Sequence, residues 1–167
     1  DINLTSKKSY SEIFLGGLGI SKKEIRRLYK KNIQNSNLLQ RKLIHSIPSK
    51  FTIDDNLIVS NPIGKQCDRL ALTTFNIWVG KEVFNNLENV YKNSKLILDE
   101  TIDSAFASSV SCIEENNTLG TVYIDIGGGS SKIATYFNGC LEYVNYIPLG
   151  GNDVTNDIEN GLEISKE

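Results

Sequence analysis

The chain has 167 residues, of which 40% are hydrophobic and 23% are charged, proportions that are typical of a globular protein. Its formal net charge of -2 gives no electrostatic argument for binding nucleic acid, which usually requires a basic surface. No apolar run approaches the roughly 20 residues that span a bilayer, and no signal peptide is visible. Three cysteines without CxxC spacing indicate reduced cytosolic thiols, not a zinc site or a disulfide framework. Because the chain begins with Asp1 and contains no methionine, we expect it to be an internal piece of a longer protein.

The first elements are predicted around one helix. Residues 3–5 could close a strand, and "SYSEIFLGGLGI" (9–20) has the glycines of a loop. Ser21 and Glu24 have capping-box spacing, and the apolar residues that follow predict a helix over 22–34. The helix also carries a cluster of basic residues, which we interpret as a solvated face in preference to a phosphate-binding patch. The cluster comprises Lys22, Lys23, Arg26, Arg27, Lys30 and Lys31.

Three strands are predicted next, at 41–48, 50–55 and 71–80, with a loop at 61–70. Pro48 is expected to end the first of them. The single histidine, His45, lies within that strand, and such a residue is more often structural than a ligand.

The second half of the chain alternates between the helical and the extended period. We predict helices at 81–94, 101–117 (with Thr101 as a cap) and 151–162. A short buried strand is expected at 95–100, followed by strands at 120–129, 131–137 and 140–150. Asn138-Gly139 between two such strands is a strong hairpin signal. The order of elements predicts a mixed α/β fold.

A glycine-rich turn, "DIGGGS" (125–130), follows one of the predicted strands. Glycines let a ligand approach the main-chain N–H groups closely, and successive N–H groups suit phosphate oxygens. Asp125 could hold a hydrated Mg²⁺ or orient a water, and the Ser130 hydroxyl could donate to the phosphate. Gly150-Gly151 before a helix is a second place suited to an anion. Three glycines can also simply form a hairpin, and the pattern matches neither a P-loop nor a dinucleotide-binding fingerprint.

Strand, DIGGG, hairpin, Gly-Gly and helix, in that order, resemble the actin, Hsp70 and sugar-kinase superfamily. The stretches "LIHSIPSKFTIDD" (43–55), "NPIG" (61–64) and "DIGGGSSKIATYFNGCLEYVNYIPLGGNDVTNDI" (125–158) together resemble the FtsA family of bacterial cell-division proteins. The resemblance covers nearly the whole chain and is weakest over residues 1–19.

The resemblance implies an actin-like ATPase fold, in which a small inserted subdomain, called 1C, precedes part of an RNase H-like lobe. Residues 1–5 would end a strand of subdomain 1A, and residues 6–80 would form subdomain 1C, an SHS2 domain. Residues 81–118 would return into subdomain 1A. Residues 119–167 would begin subdomain 2A with its second phosphate loop.

A nucleotide site is implied by the same resemblance, with ATP and Mg²⁺ as cofactors of the full-length protein and Asp125 as a metal-binding residue. One departure is that Lys132 stands where the family commonly has an acid, which puts the way this chain binds nucleotide in question. The implied nucleotide-binding residues are Asp125, Gly127, Gly128, Gly129, Ser130, Gly150, Gly151 and Asn152.

The implied function is that of a polymerising adaptor, which binds ATP, forms filaments and tethers the FtsZ ring to the inner face of the cytoplasmic membrane. FtsZ and the membrane would be bound by parts outside this chain, and other division proteins by residues 6–80; no nucleic acid is implied. ATP hydrolysis would be weak or absent. Two alternatives stay open: a phosphotransferase or polyphosphate phosphatase of the same superfamily, and an interaction module whose glycine turn is only structural.

Overall fold

A computed structural model describes residues 4–36, 38–112 and 120–164. The chain divides into two compact units, Asp1–Asp103 and Ser104–Glu167, here called the N-terminal and C-terminal units. The finer assignment to four subdomain segments stays a prediction.

The N-terminal unit is built on an antiparallel sheet with the strand order β1-β4-β2-β3. Helix α1 packs on β1 and β4, and helix α2 contacts β2 and β4. The elements are β1 (Leu4–Phe14), α1 (Lys22–Asn35), β2 (Arg41–Ile53), β3 (Leu57–Val59), β4 (Arg69–Gly80) and α2 (Lys81–Asn93).

Helix α1 and strand β4 contribute most of the deeply buried side chains of the N-terminal unit. Leu28 of α1 and Leu70 and Leu72 of β4 are completely buried in one core cluster. β4 is buried over almost its whole length, since it lies between β1 and β2 and also contacts both α1 and α2. The predicted capping box of α1 is confirmed, since Ser21 Oγ accepts from the Lys23 N–H at 3.1 Å and Glu24 accepts from the Ser21 N–H at 3.0 Å. The basic cluster of this helix is exposed, as expected for a solvated face.

Strand β1 is much longer than the sequence predicts. Residues 9–14 were expected to belong to a loop, but they pair with β4 in continuous register as far as Phe14 opposite Arg69. Serines and tyrosine obscure the apolar alternation, although Ser11 and Ile13 point into the interior. The glycine loop is confirmed only from Gly16 onward, where Gly16 and Gly17 have positive φ.

Pro48 does not end its strand, contrary to prediction, and β2 continues from Arg41 to Ile53. The pairing with β4 is irregular between Pro48 and Lys50, as it is between Leu43 and His45. A bulge lets a proline occupy a strand without losing the whole ladder, so one long strand replaces the two that were predicted. The prediction also missed β3, which follows a turn where Asp54 and Asp55 have positive φ.

Two predictions near the end of the N-terminal unit are wrong, the strand at 95–100 and the helix cap at Thr101. Residues 96–100 form no strand, and the side chains of Leu96 and Ile97 are 59% and 90% exposed. The short apolar run has no partner strand in the described chain, and an isolated strand leaves its backbone hydrogen bonds unmade. The next helix, α3, spans Ser104–Val110, so Thr101 does not cap it; residues 113–117 of the predicted helix lie outside the described residues.

His45 has a structural role in the N-terminal unit, as the sequence favoured. Its Nε2 atom accepts the backbone N–H of Asp103 at 2.9 Å, which attaches the segment after α2 to β2. Burial lowers the pKa of His45, and the carboxylates of Asp103 and Glu100 oppose that shift. A neutral ring is required, because a protonated Nε2 is a donor and cannot accept the Asp103 N–H.

We expect the N-terminal unit to lose stability as pH falls below about 6.5, the ordinary pKa of histidine. Because the folded pKa of His45 is lowered, the unfolded chain takes up the proton first, and protonation therefore favours unfolding. The melting temperature of the full-length protein between pH 5 and pH 8 measures this effect. The His45→Gln variant should lose this component of the pH dependence, and an unchanged pH profile would contradict the assignment.

The C-terminal unit contains a three-stranded antiparallel sheet in the order β5-β6-β7. The Asn138-Gly139 hairpin is confirmed, and both residues have the positive φ that a tight turn of this kind requires. The elements are α3, β5 (Thr121–Ile126), β6 (Ser131–Phe137), β7 (Cys140–Ile147) and α4 (Gly151–Leu162). Helix α3 packs on β5 and β6, where Ser109 and Tyr136 share a buried hydrogen bond of 2.6 Å.

Candidate phosphate-binding turn

The glycine turn connects β5 to β6 over residues 127–130. The pair nearest to the turn is Ile126 opposite Ser131, and the Gly127 N–H donates to the Ser130 carbonyl at 3.0 Å. The turn is therefore a hairpin connection in the structure, as one of the two interpretations of the sequence held. The main-chain groups that the hairpin does not use are therefore the ones that could bind a phosphate.

Three successive main-chain N–H groups remain unused at this turn. In the described part of the chain, the N–H groups of Gly128, Gly129 and Ser130 have no hydrogen-bond acceptor. Gly128 and Gly129 are exposed and Ser130 is half-buried, so the three groups lie at the surface of the C-terminal unit. Adjacent N–H groups in a turn are suited to binding an oxyanion.

The start of α4 packs directly on this turn. The N–H groups of Gly151 and Asn152 donate to the carbonyls of Gly127 and Gly128, each at 2.8 Å. The Gly150 N–H donates to Asp153 Oδ2 at 2.7 Å. These first N–H groups of the helix thus hold the turn in place and are not open to an anion, although the sequence suggested a second anion-binding place here. That Gly150, Gly151 and Asn152 bind nucleotide stays a prediction.

Gly150 is the glycine that this packing requires. A Cβ atom at position 150 would lie 2.4 Å from the Gly127 carbonyl oxygen and 2.5 Å from that of Gly128. A Cβ at Gly127 would be 3.0 Å from the Ser130 oxygen, whereas one at Gly129 would meet no atom within 4 Å. The glycines therefore serve different purposes: Gly150 permits close backbone contact, and Gly129 leaves open space beside the unused N–H groups.

Asp125 forms an ion pair with Lys132. The two residues are directly opposite each other in the β5–β6 register, and Lys132 Nζ lies 3.0 Å from Asp125 Oδ2. Their side chains are 30% and 23% exposed, respectively, so the pair is largely shielded from solvent. The sequence showed Lys132 as a departure from the family pattern but not its partner; hairpin register was the signal that could have identified it.

The turn offers donors to an oxyanion, and the carboxylate beside it is already paired. Three open N–H groups are complementary to phosphate oxygens. Asp125, the predicted metal-binding residue, already neutralises an ammonium group. Among the described residues, no cluster of three or more histidine, cysteine, aspartate or glutamate side chains could hold a metal ion. Direct Mg²⁺ binding at Asp125 would first have to break the pair with Lys132.

Two family models match the chain. Residues 3–78 match the model described as an SHS2 domain inserted in FtsA, and residues 122–167 match the model described as cell division protein FtsA. The two matches lie in the N-terminal and the C-terminal unit, respectively. No helix in the described residues is both long and apolar enough to cross a bilayer.

Similar proteins agree with these models. The chain is 34% identical over 120 residues to the cell division protein FtsA of Buchnera aphidicola subsp. Baizongia pistaciae, covering 71% of this chain and 28% of that protein. It is 26% identical over 167 residues to the cell division protein FtsA of Agrobacterium fabrum, covering 96% of this chain and 38% of that protein. The chain thus spans roughly a third of these relatives.

A solved structure shows the fold. A chain of the PilM-PilN type IV pilus biogenesis complex aligns with a TM-score of 0.57 and 12% sequence identity, covering 97% of this chain and 44% of that one. Together with the family models, this likeness confirms a mixed α/β chain of the actin-like ATPase fold with an inserted SHS2 domain. Within that class, the chain belongs to the FtsA family of cell-division proteins.

Proposed function

We propose that the full-length protein containing this chain binds ATP, and that the turn at residues 127–130 contacts its phosphates. The observation that carries the proposal is the set of three open N–H groups at Gly128, Gly129 and Ser130. Helix α4 supports the turn through two main-chain hydrogen bonds, so the N–H groups are held in position before any ligand arrives. The Ser130 hydroxyl adds a further donor next to the same turn.

Membership of the FtsA family extends this proposal to cell division. The ATP-bound protein would assemble into filaments and tether the FtsZ ring to the inner face of the cytoplasmic membrane, through parts outside this chain. The N-terminal unit, which matches the SHS2 model, would contribute a contact surface for filament neighbours or later division proteins within residues 6–80. Nucleotide would act as a conformational switch between assembled and unassembled protein.

ATP hydrolysis by this protein would be slow or absent. A catalytic carboxylate must be available to orient a water or hold a metal ion, and Asp125 is engaged by Lys132 at 3.0 Å. The pairing therefore favours a nucleotide-binding adaptor over a phosphotransferase or a polyphosphate phosphatase. Release of phosphate from ATP at a rate no faster than filament turnover would agree with the role of a nucleotide-binding adaptor.

Two substitutions at Gly129 test the phosphate role, because this position has open space around it. We expect Gly129→Glu to weaken ATP binding about tenfold through charge repulsion, whereas Gly129→Gln, of nearly equal size, should change it by less than about threefold. Equilibrium titration of the full-length protein with fluorescent ATP measures both. If the wild type does not bind ATP, or if both variants bind like it, the role assigned to the turn is wrong.

A further inference from the structure

The Asp125–Lys132 ion pair places an ammonium group beside the candidate phosphate site. Only one residue pair, Ile126 and Ser131, separates it from the glycine turn. Successive residues in a strand are about 3.4 Å apart, so position 132 lies two residues along the strand from Ser130, a distance comparable to the length of an extended lysine side chain. Lys132 is largely shielded from solvent, which strengthens its interaction with any nearby anion.

The negative charge of a triphosphate is balanced by cations. Mg²⁺ commonly provides this positive charge and is itself held in part by a carboxylate. In this chain the carboxylate of Asp125 is neutralised by an ammonium group 3.0 Å away, which also repels a second cation. A lysine can itself bind phosphate oxygens as a point charge. The ion pair therefore disfavours Mg²⁺ binding at Asp125, whereas the ammonium group of Lys132 can itself donate to phosphate oxygens.

We propose that Lys132 is a phosphate-binding residue of this chain and that it replaces Mg²⁺ as the main source of positive charge at the glycine turn. Asp125 acts as the positioning partner of Lys132 and does not bind the metal directly. This inference rests on the proposed function, since it assumes that ATP contacts the turn. It adds that ATP binding to this protein is largely independent of Mg²⁺.

The test compares ATP affinity with Mg²⁺ and with EDTA in the full-length protein. For the wild type and for Lys132→Arg, which keeps the charge, we expect the two affinities to agree within about threefold. Lys132→Gln should weaken binding in EDTA about tenfold, the contribution of a charge-assisted hydrogen bond. Mg²⁺ should restore much of that affinity, because Asp125 is then free to bind the cation.

Asp125→Asn provides the matched variant, because it breaks the ion pair but leaves Lys132 in place. Its ATP binding should remain independent of Mg²⁺. A lysine that only fastens the hairpin would give equal losses with Mg²⁺ and with EDTA in Lys132→Gln, and this result would overturn the inference.

The outcomes separate the two proposals. Wild-type binding that falls tenfold or more in EDTA would overturn the role of Lys132 while leaving ATP binding by the protein intact. A wild type that binds no ATP in either condition would overturn the proposed function and this inference together. Thermal melting of each variant shows whether it is folded.

Discussion

Replacing Gly150 by alanine should destabilise the contact between α4 and the glycine turn by about 3 to 5 kcal/mol, from overpacking and from two lost hydrogen bonds. The added methyl group would lie 2.4 Å from one backbone oxygen and 2.5 Å from another. Neither oxygen belongs to a flexible side chain, so the helix must move away. The hydrogen bonds that Gly151 and Asn152 donate to the turn would then be lost.

The expected loss does not come from backbone strain at position 150. Gly150 has φ of -151° and ψ of -165°, which residues with side chains adopt readily. A position with this extended backbone would ordinarily tolerate replacement by alanine, so backbone conformation alone predicts no loss. Contact with the turn is therefore the whole basis of the prediction.

Native-state hydrogen exchange of α4 in the full-length protein measures the effect locally. Gly150→Ala should accelerate exchange throughout the first turns of α4. Gly129→Ala is the matched control from the same turn, because a Cβ at that position meets nothing within 4 Å. Equal protection of α4 in the two variants would show that the helix does not depend on this close approach.

The sequence predicted the C-terminal unit well because its signals are local. An Asn-Gly pair specifies a tight hairpin, and the strands on both sides of Gly127 have clear bounds. The bonding between α4 and the turn could not be predicted, since it joins main-chain groups about 24 residues apart, from Gly127 to Gly151. Such a contact depends on how the chain folds back and not on residue type.

In the N-terminal unit, polar residues occupy interior positions that the sequence did not distinguish from exposed ones. Asn76 and Thr74 on β4 are completely buried, so these polar positions of the strand do not face solvent. Their partners come from other elements: Asn32 accepts from the Thr74 hydroxyl, and Asn76 donates to Ser9 and Ser36. A polar pattern in the sequence looks the same whether its partner is water or another side chain.

Asn32→Ala should therefore destabilise the N-terminal unit by about 2 to 4 kcal/mol, from unmade hydrogen bonds and a small cavity. The side chain is completely buried; it accepts from Thr74 at 2.7 Å and donates to the carbonyls of Ser9 and Leu72 at 3.2 Å and 3.4 Å. Helix propensity alone predicts the opposite sign, a gain of up to about 0.7 kcal/mol, because alanine favours helices more than asparagine does. The sign of the change thus distinguishes the two effects.

Hydrogen exchange of the β4 amides in the full-length protein measures this change, with Gln34→Ala, an exposed position on the same helix, as the control. The control should alter stability by no more than about 0.5 kcal/mol. Combining Asn32→Ala with Thr74→Val should cost less than the sum of the single changes by about 1 kcal/mol, since the two side chains share a hydrogen bond. Strict additivity would mean that this bond contributes little, and that shape alone sets the position of α1 on the sheet.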